Sequence, residues 1–183
     1  MRESLPVVIK LLCERRLKIN EFEIGLGMMI TVNEKAVLSV SGLGSCIGLA
    51  LHDAKNRVGG LAHTVLPDSR NADDRYLTPG KYVDTAVPML AKKMLSMGSR
   101  MPHIRAKLVG GAEVIVRGSS VGSKNAERAR AELKRIQIEI VGEDVSSNLG
   151  RSMRFDTETG RITIRRYRSR KDGIAEYTGT AII

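Results

Sequence analysis

With 183 residues, 42% of them hydrophobic, the chain is sized for one domain around one core, and with no Trp, two Phe and four Tyr that core is aliphatic. No apolar run nears the roughly 18 residues of a membrane span, the start Met1–Pro6 lacks a secretory leader's apolar stretch, and two cysteines without a CxxC pair argue against a disulfide or a closed zinc site, so a cytoplasmic protein is expected. A net charge of +10 invites a nucleic-acid reading, but with 3% aromatic residues stacking platforms are scarce, and a solvated basic surface, or one that meets an acidic protein, fits better.

Residues 4–18 read as an amphipathic helix: Ser4 caps it, Pro6 suits its first turn, and Leu5, Val8, Ile9 and Leu12 recur at helical spacing. From Phe22 to Leu66 short stretches rich in Gly, Val and Ile predict strands at about 22–31, 36–42, 46–52 and 58–65. The polar segment 67–80, with Pro and Gly at both ends, predicts a long loop whose length favours a lid or docking role. Val83–Met97 reads as a helix, apolar at Val83, Ala86, Val87, Leu90, Met94 and Met97.

Strands are expected at 104–109 and 113–116, a helix at 125–136, and strands at 137–141 and 152–156. A hairpin turn at 156–161, with Gly160, leads into a strand over 162–167. The basic tail after Arg168 is expected to be loose. The domain reading is therefore a helical extension at 1–20, a folded domain at 21–167 and a flexible basic tail at 168–183. The fold class is α+β: a layered sandwich with mixed, largely antiparallel sheets and helices packed on them.

Chemistry concentrates in Ser41-Gly42-Leu43-Gly44-Ser45-Cys46. Two glycines before a cysteine allow a sharp turn, and free amides at Gly44 and Ser45 suit a developing oxyanion and a substrate amide. A cysteine in an apolar strand is more often a small hydrophobe than a nucleophile, but His63 changes the weighing. If 53–56 is a hairpin loop and His52 faces Arg57, Cys46 stands directly opposite His63, with Cβ atoms roughly 5 Å apart. An adjacent imidazolium lowers a thiol pKa toward neutrality and later protonates a leaving amine. Cys46 and His63 are thus the catalytic candidates. Cys13 reads as filler on the first helix, His52 and His103 as turn or loop residues, and Gly110-Gly111 as a tight turn, since no P-loop Lys-Ser/Thr follows it.

The run GLGSC at 42–46 and GLAHTVLPDS at 60–69 resembles the CheD family of chemoreceptor glutamine deamidases. The similarity continues in order through Arg75-Tyr76 and Lys81-Tyr82-Val83-Asp84-Thr85-Ala86, Ala106–Ala112, Val121-Gly122-Ser123-Lys124-Asn125, and Gly150-Arg151 with Phe155 and Thr159-Gly160, about 24–167 in all. The resemblance implies hydrolysis of glutamine side chains to glutamate on methyl-accepting chemotaxis receptors, with Cys46 attacking and His63 protonating the ammonia. It implies a fold similar to that of the deamidating cytotoxic necrotizing factor toxins, receptors and a CheC-type phosphatase as partners, and neither metal nor organic cofactor.

Two positions depart from the family pattern. Val40 stands where a threonine is usual, six residues before the cysteine, and Ser146–Leu149 replaces a glycine pair. Ser41 becomes a candidate for the missing hydroxyl, provided a bulge brings consecutive residues to one face. The alternatives to the enzyme are a binding module regulating a CheC-type phosphatase with little or no catalysis, and a basic nucleic-acid binder.

Overall fold

The computed structural model describes residues 20–70, 72–74, 77–113, 121–169 and 175–183. Ten strands and two α-helices follow in order among them: β1 (Asn20–Glu23), β2 (Met29–Val32), β3 (Ala36–Leu43), β4 (Ile47–Asp53), β5 (Val58–Thr64), α1 (Val83–Ser96), β6 (Arg105–Gly110), α2 (Val121–Arg135), β7 (Glu139–Val145), β8 (Gly150–Asp156), β9 (Ile162–Ser169) and β10 (Ala175–Ile182). One five-stranded sheet has the order β1-β3-β8-β9-β10, the other β2-β5-β4-β6-β7. Each is mixed, with one parallel pair (β1 with β3, β6 with β7) and antiparallel ladders elsewhere.

The fold is α+β, in three layers. Leu38, Val40, Leu43, Ala50, Leu61, Met153 and Phe155 fill the space between the sheets. Ile47, Leu49, Leu51 and Ala62, on the other face of the second sheet, meet Val83, Val87, Leu90 and Met94 of α1 and Ala126, Ala129 and Leu133 of α2. Strands β4 and β5 are buried on both faces, which is why they read as near-continuous apolar runs.

Four expectations are corrected. The strand expected over 22–31 is two strands on different sheets. Met28 N donates to Gly25 O at 3.2 Å around Gly27, whose φ is +71°, a type II turn that breaks the extended run. The β4–β5 hairpin has a different register: His52 pairs with Gly59 and Asp53 with Val58. Asp53 Oδ1 accepts the Asn56 amide at 3.0 Å and Oδ2 the Asn56 side chain at 2.7 Å, so Asp53 stays in the ladder and the loop is Ala54–Arg57. The tail is not loose over 175–182, which pairs along β9 as an edge strand because Tyr177, Thr180 and Ile182 have strand propensity. The second helix starts at Val121, four residues earlier than its polar pattern suggests. The helix expected at 4–18 and most of the strand expected at 113–116 lie outside the described residues.

Candidate active site

Cys46 closes the β3–β4 connection one residue before β4. Three carbonyls of that turn are held from behind. Gly44 O accepts from Ala112 N at 2.8 Å and Cys46 O from Gly111 N at 2.7 Å. Ser45 O accepts from Asn125 Nδ2 at 2.9 Å. The approach needs glycine: Gly110 has φ +116° and a Cβ there would collide with the Cys46 carbonyl. Asn125, fully buried on α2, donates also to Val65 O at 2.9 Å. One amide thereby ties the cysteine turn to the end of β5, two residues past His63.

The register sets His63 opposite Gly48, not Cys46. The slip is two residues, an even number, so Cys46 and His63 keep one face. Both look into the layer between the sheets, where Cys46 packs against the cluster of Val40, Leu43 and Met153. Their relation is diagonal, a Cβ separation that regular sheets hold at about 7–8 Å or somewhat less. His63 is 3% exposed. Its Nδ1 lies 3.4 Å from the Ile24 carbonyl, which accepts when Nδ1 carries the proton and makes Nε2 the basic nitrogen. Nε2 is buried without a partner among the described residues.

Burial pushes the Cys46 thiol up, against a smaller opposing pull from its own backbone amide. Burial likewise pushes His63 down, with the Ile24 carbonyl opposing. Burial thus works against both charges, thiolate and imidazolium, of the ionised pair expected from the sequence. Alkylation of Cys46 by iodoacetamide, followed by intact-protein mass spectrometry across a pH series, is expected to be slow at neutral pH, with a midpoint above the ordinary thiol value. Fast alkylation at pH 7 means an ionised pair instead. Since the unfolded chain binds the His63 proton more readily, stability contributed by the neutral ring falls as pH drops below the ordinary imidazole value of about 6.5.

Ser41 is not brought into this group. The β3 ladder to β8 does slip between Val40 and Leu43, and Gly42 has φ +70°, but Ser41 stays on the face of Ser39. It is exposed and lines an outer cleft of about 420 Å³ with Glu23, Ser39, Arg154 and Arg165. Val40 points the other way and is fully buried beside the Cys46 cluster. Gly44 and Ser45 remain half-exposed at the turn.

A second cleft, about 930 Å³, lies against the 67–80 segment and is lined by Asp68, Arg70, Asp73, Asp74, Lys81 and Tyr82, not by Cys46. There Asp74 accepts from Lys81, Tyr82 and Thr78, and these donors, Lys81 foremost, hold its carboxyl at about 2. The described part of this loop is braced on itself and on Asp84, which accepts from Ser69.

Sequence reasoning missed two positioning elements, Asn125 and the Ile24 carbonyl. Asn125 carried a usable signal: it shares a helical face with Ala126, Ala129 and Leu133, where a lone carboxamide has to be hydrogen-bonded. A backbone carbonyl carries no sequence signal at all.

The model of the family described as CheD chemotactic sensory transduction matches residues 65–166. A probable chemoreceptor glutamine deamidase CheD of Thermococcus kodakarensis is 39% identical over 150 residues, 80% of this chain and 92% of the relative. The chemoreceptor glutamine deamidase CheD of Thermotoga maritima is 35% identical over 144 residues, 78% and 90% of the two chains. A probable chemoreceptor glutamine deamidase CheD of Clostridium acetobutylicum is 35% identical over 157 residues, 83% and 94%. A stretch covering 80% of the chain takes in Cys46 and His63 wherever it begins.

Proposed function

The chain belongs to the CheD family, and on that premise we propose that it hydrolyses specific glutamine side chains of methyl-accepting chemotaxis receptors to glutamate through Cys46 and His63. The observation that carries this reading is the buried His63 Nε2, without a partner among the described residues, on the same inter-sheet face as the Cys46 thiol. His63 takes the thiol proton as sulfur attacks the carboxamide carbon. The oxyanion forms beside the amides of the Gly44-Ser45-Cys46 turn, whose carbonyls are drawn back by Ala112, Asn125 and Gly111. The carbon–nitrogen bond breaks as His63 returns the proton to the departing ammonia. Water, deprotonated by His63, then cleaves the thioester to glutamate and frees the thiol. No metal or organic cofactor enters this scheme.

The same reading extends to a CheC-type phosphatase as a second partner and to kinship of the fold with the deamidating cytotoxic necrotizing factor toxins. The test is mass spectrometry of a receptor cytoplasmic fragment before and after incubation with the protein. A gain of about 1 Da at defined glutamines is expected, the mass difference between an amide and an acid. An unchanged fragment that nonetheless binds favours the regulatory module.

Val40 bears on the rate. A threonine there has nearly the shape of valine and adds a hydroxyl to the layer that holds the orphan His63 nitrogen. Val40→Thr is expected to raise turnover by a few-fold, the worth of one hydrogen bond of about 1 kcal/mol. Ser41→Ala is expected to leave it unchanged, because Ser41 faces outward. Turnover by the two variants on one receptor fragment decides it; a crippled Ser41→Ala variant means that Ser41 reaches the site after all.

A further inference from the structure

The segment Ile24–Met28 is fastened to His63 yet turns large apolar side chains outward. Gly27 N donates to His63 O at 2.9 Å, and His63 N to Met28 O at 3.0 Å. This is the hydrogen-bond pattern of a glycine bulge, two residues of one strand opposite one of the next. Ile24 N is bound to Ser39 O at 2.9 Å, and the Ile24 carbonyl lies against the His63 ring. From the other side Gly80 abuts the Gly27 backbone, where a Cβ would collide with the Gly27 carbonyl.

The backbone is thus held by hydrogen bonds to β3 and β5, but Leu26 is 67% exposed and Met28 61%. Met29 packs toward the helices and Ile30 toward the inter-sheet cluster. By strand alternation Met28 shares the face of Ile30, which is also the face of His63 and Cys46. Exposed aliphatic residues on a rigid backbone that borders a reactive centre offer contact area at little ordering cost.

We propose that Leu26 and Met28 form the docking edge that receives aliphatic side chains flanking the target glutamine of a protein substrate, fixing its carboxamide relative to His63 Nε2. This rests on the deamidase reading for its occupant. Leu26 and Met28 touch the substrate's neighbours and not its reacting atoms, so they act on substrate capture. The chemistry of the partner follows from the edge: a glutamine-bearing segment with aliphatic neighbours binds, and one with charged neighbours does not.

The test pairs kinetics with direct binding, using the full chain and one receptor cytoplasmic fragment. Leu26→Ser with Met28→Ser is expected to raise KM about tenfold, the size of a truncated interface anchor, with kcat retained at saturation and Cys46 alkylation by iodoacetamide unaltered. Leu95→Ser, at an exposed leucine on α1, serves as control and changes nothing. Binding of the fragment to Cys46→Ala, with and without the two serines, reads docking apart from chemistry, and a tenfold weaker affinity is expected. Equal affinity, or no binding to either, overturns the docking edge. A wild type that binds through this edge but converts no glutamine overturns the deamidase reading and leaves the edge standing.

Discussion

Cys46→Ala is expected to reduce glutamine conversion by roughly four to six orders of magnitude, to below detection, because a covalent hydrolase without its nucleophile keeps only the modest acceleration of its binding groups. The fold is expected to survive. Cys46 is half-buried and the change removes one sulfur atom, so the loss of stability is about 1 kcal/mol or less. The denaturation midpoint separates lost chemistry from lost structure. His63→Ala is expected to lose nearly as much activity, and combining the two should cost little more than either alone, since the groups act as one unit. Conversion that persists in Cys46→Ala sinks the thioester mechanism. A wild type and a Cys46→Ala variant that are equally inactive but both bind a CheC-type phosphatase support the regulatory alternative.

The second large effect concerns stability, at the ion cluster joining the two sheets. Arg151 on β8 is 2% exposed and donates to Asp144 Oδ1 on β7 through Nε at 3.1 Å and through the guanidinium NH2 at 3.0 Å. It also donates to Leu149 O at 2.8 Å and to Ser147 Oγ at 3.2 Å. Asp144 Oδ2 is bonded by Arg166 of β9 at 2.9 Å. The three groups do not stand equally. Asp144→Ala strands a buried guanidinium, which typically costs about 3–5 kcal/mol. Arg151→Ala leaves Asp144 with Arg166 as a partner and is expected to cost less.

Denaturant unfolding of the two variants measures the order, and the reverse order means that Arg166 cannot satisfy Asp144 alone. The effect reaches the site as well. Ser146 N donates to Gly110 O at 2.9 Å and Glu113 N to Ser147 O at 2.9 Å, so the loop following Asp144 braces the glycine turn behind Cys46. Ser146 and Ser147 hold φ of +67° and +70°, a conformation that glycine adopts more easily. These two serines therefore carry some backbone strain next to the site.

Much of the fold was legible in the sequence because period and punctuation are local. The Val83–Ser96 helix shows an apolar stripe at helical spacing, and the β8–β9 hairpin is announced by Gly160 at φ +72°. The 22–31 stretch misled because two glycines inside an apolar run look the same whether the strand continues or turns onto another sheet. Strand β10 was missed because its partner is β9, and an isolated edge sequence that follows a run of basic residues resembles a tail.

The sequence by itself determined the α+β class, the aliphatic core, the nearness of Cys46 and His63 on one face, and the family to which the ordered motifs point. These follow from properties carried by each segment alone: residue type, spacing and alternation. The tertiary structure decided the rest. It set His63 opposite Gly48, because the side chain of Asp53 reshapes the hairpin loop. It turned Ser41 away from the site, because the first sheet presents that face to solvent. It pushed the thiol pKa up and the imidazole pKa down, because burial between two sheets is a sum over the whole fold. And it made Asn125 the tie between the cysteine turn and β5, a contact across 80 residues of chain that no local pattern encodes.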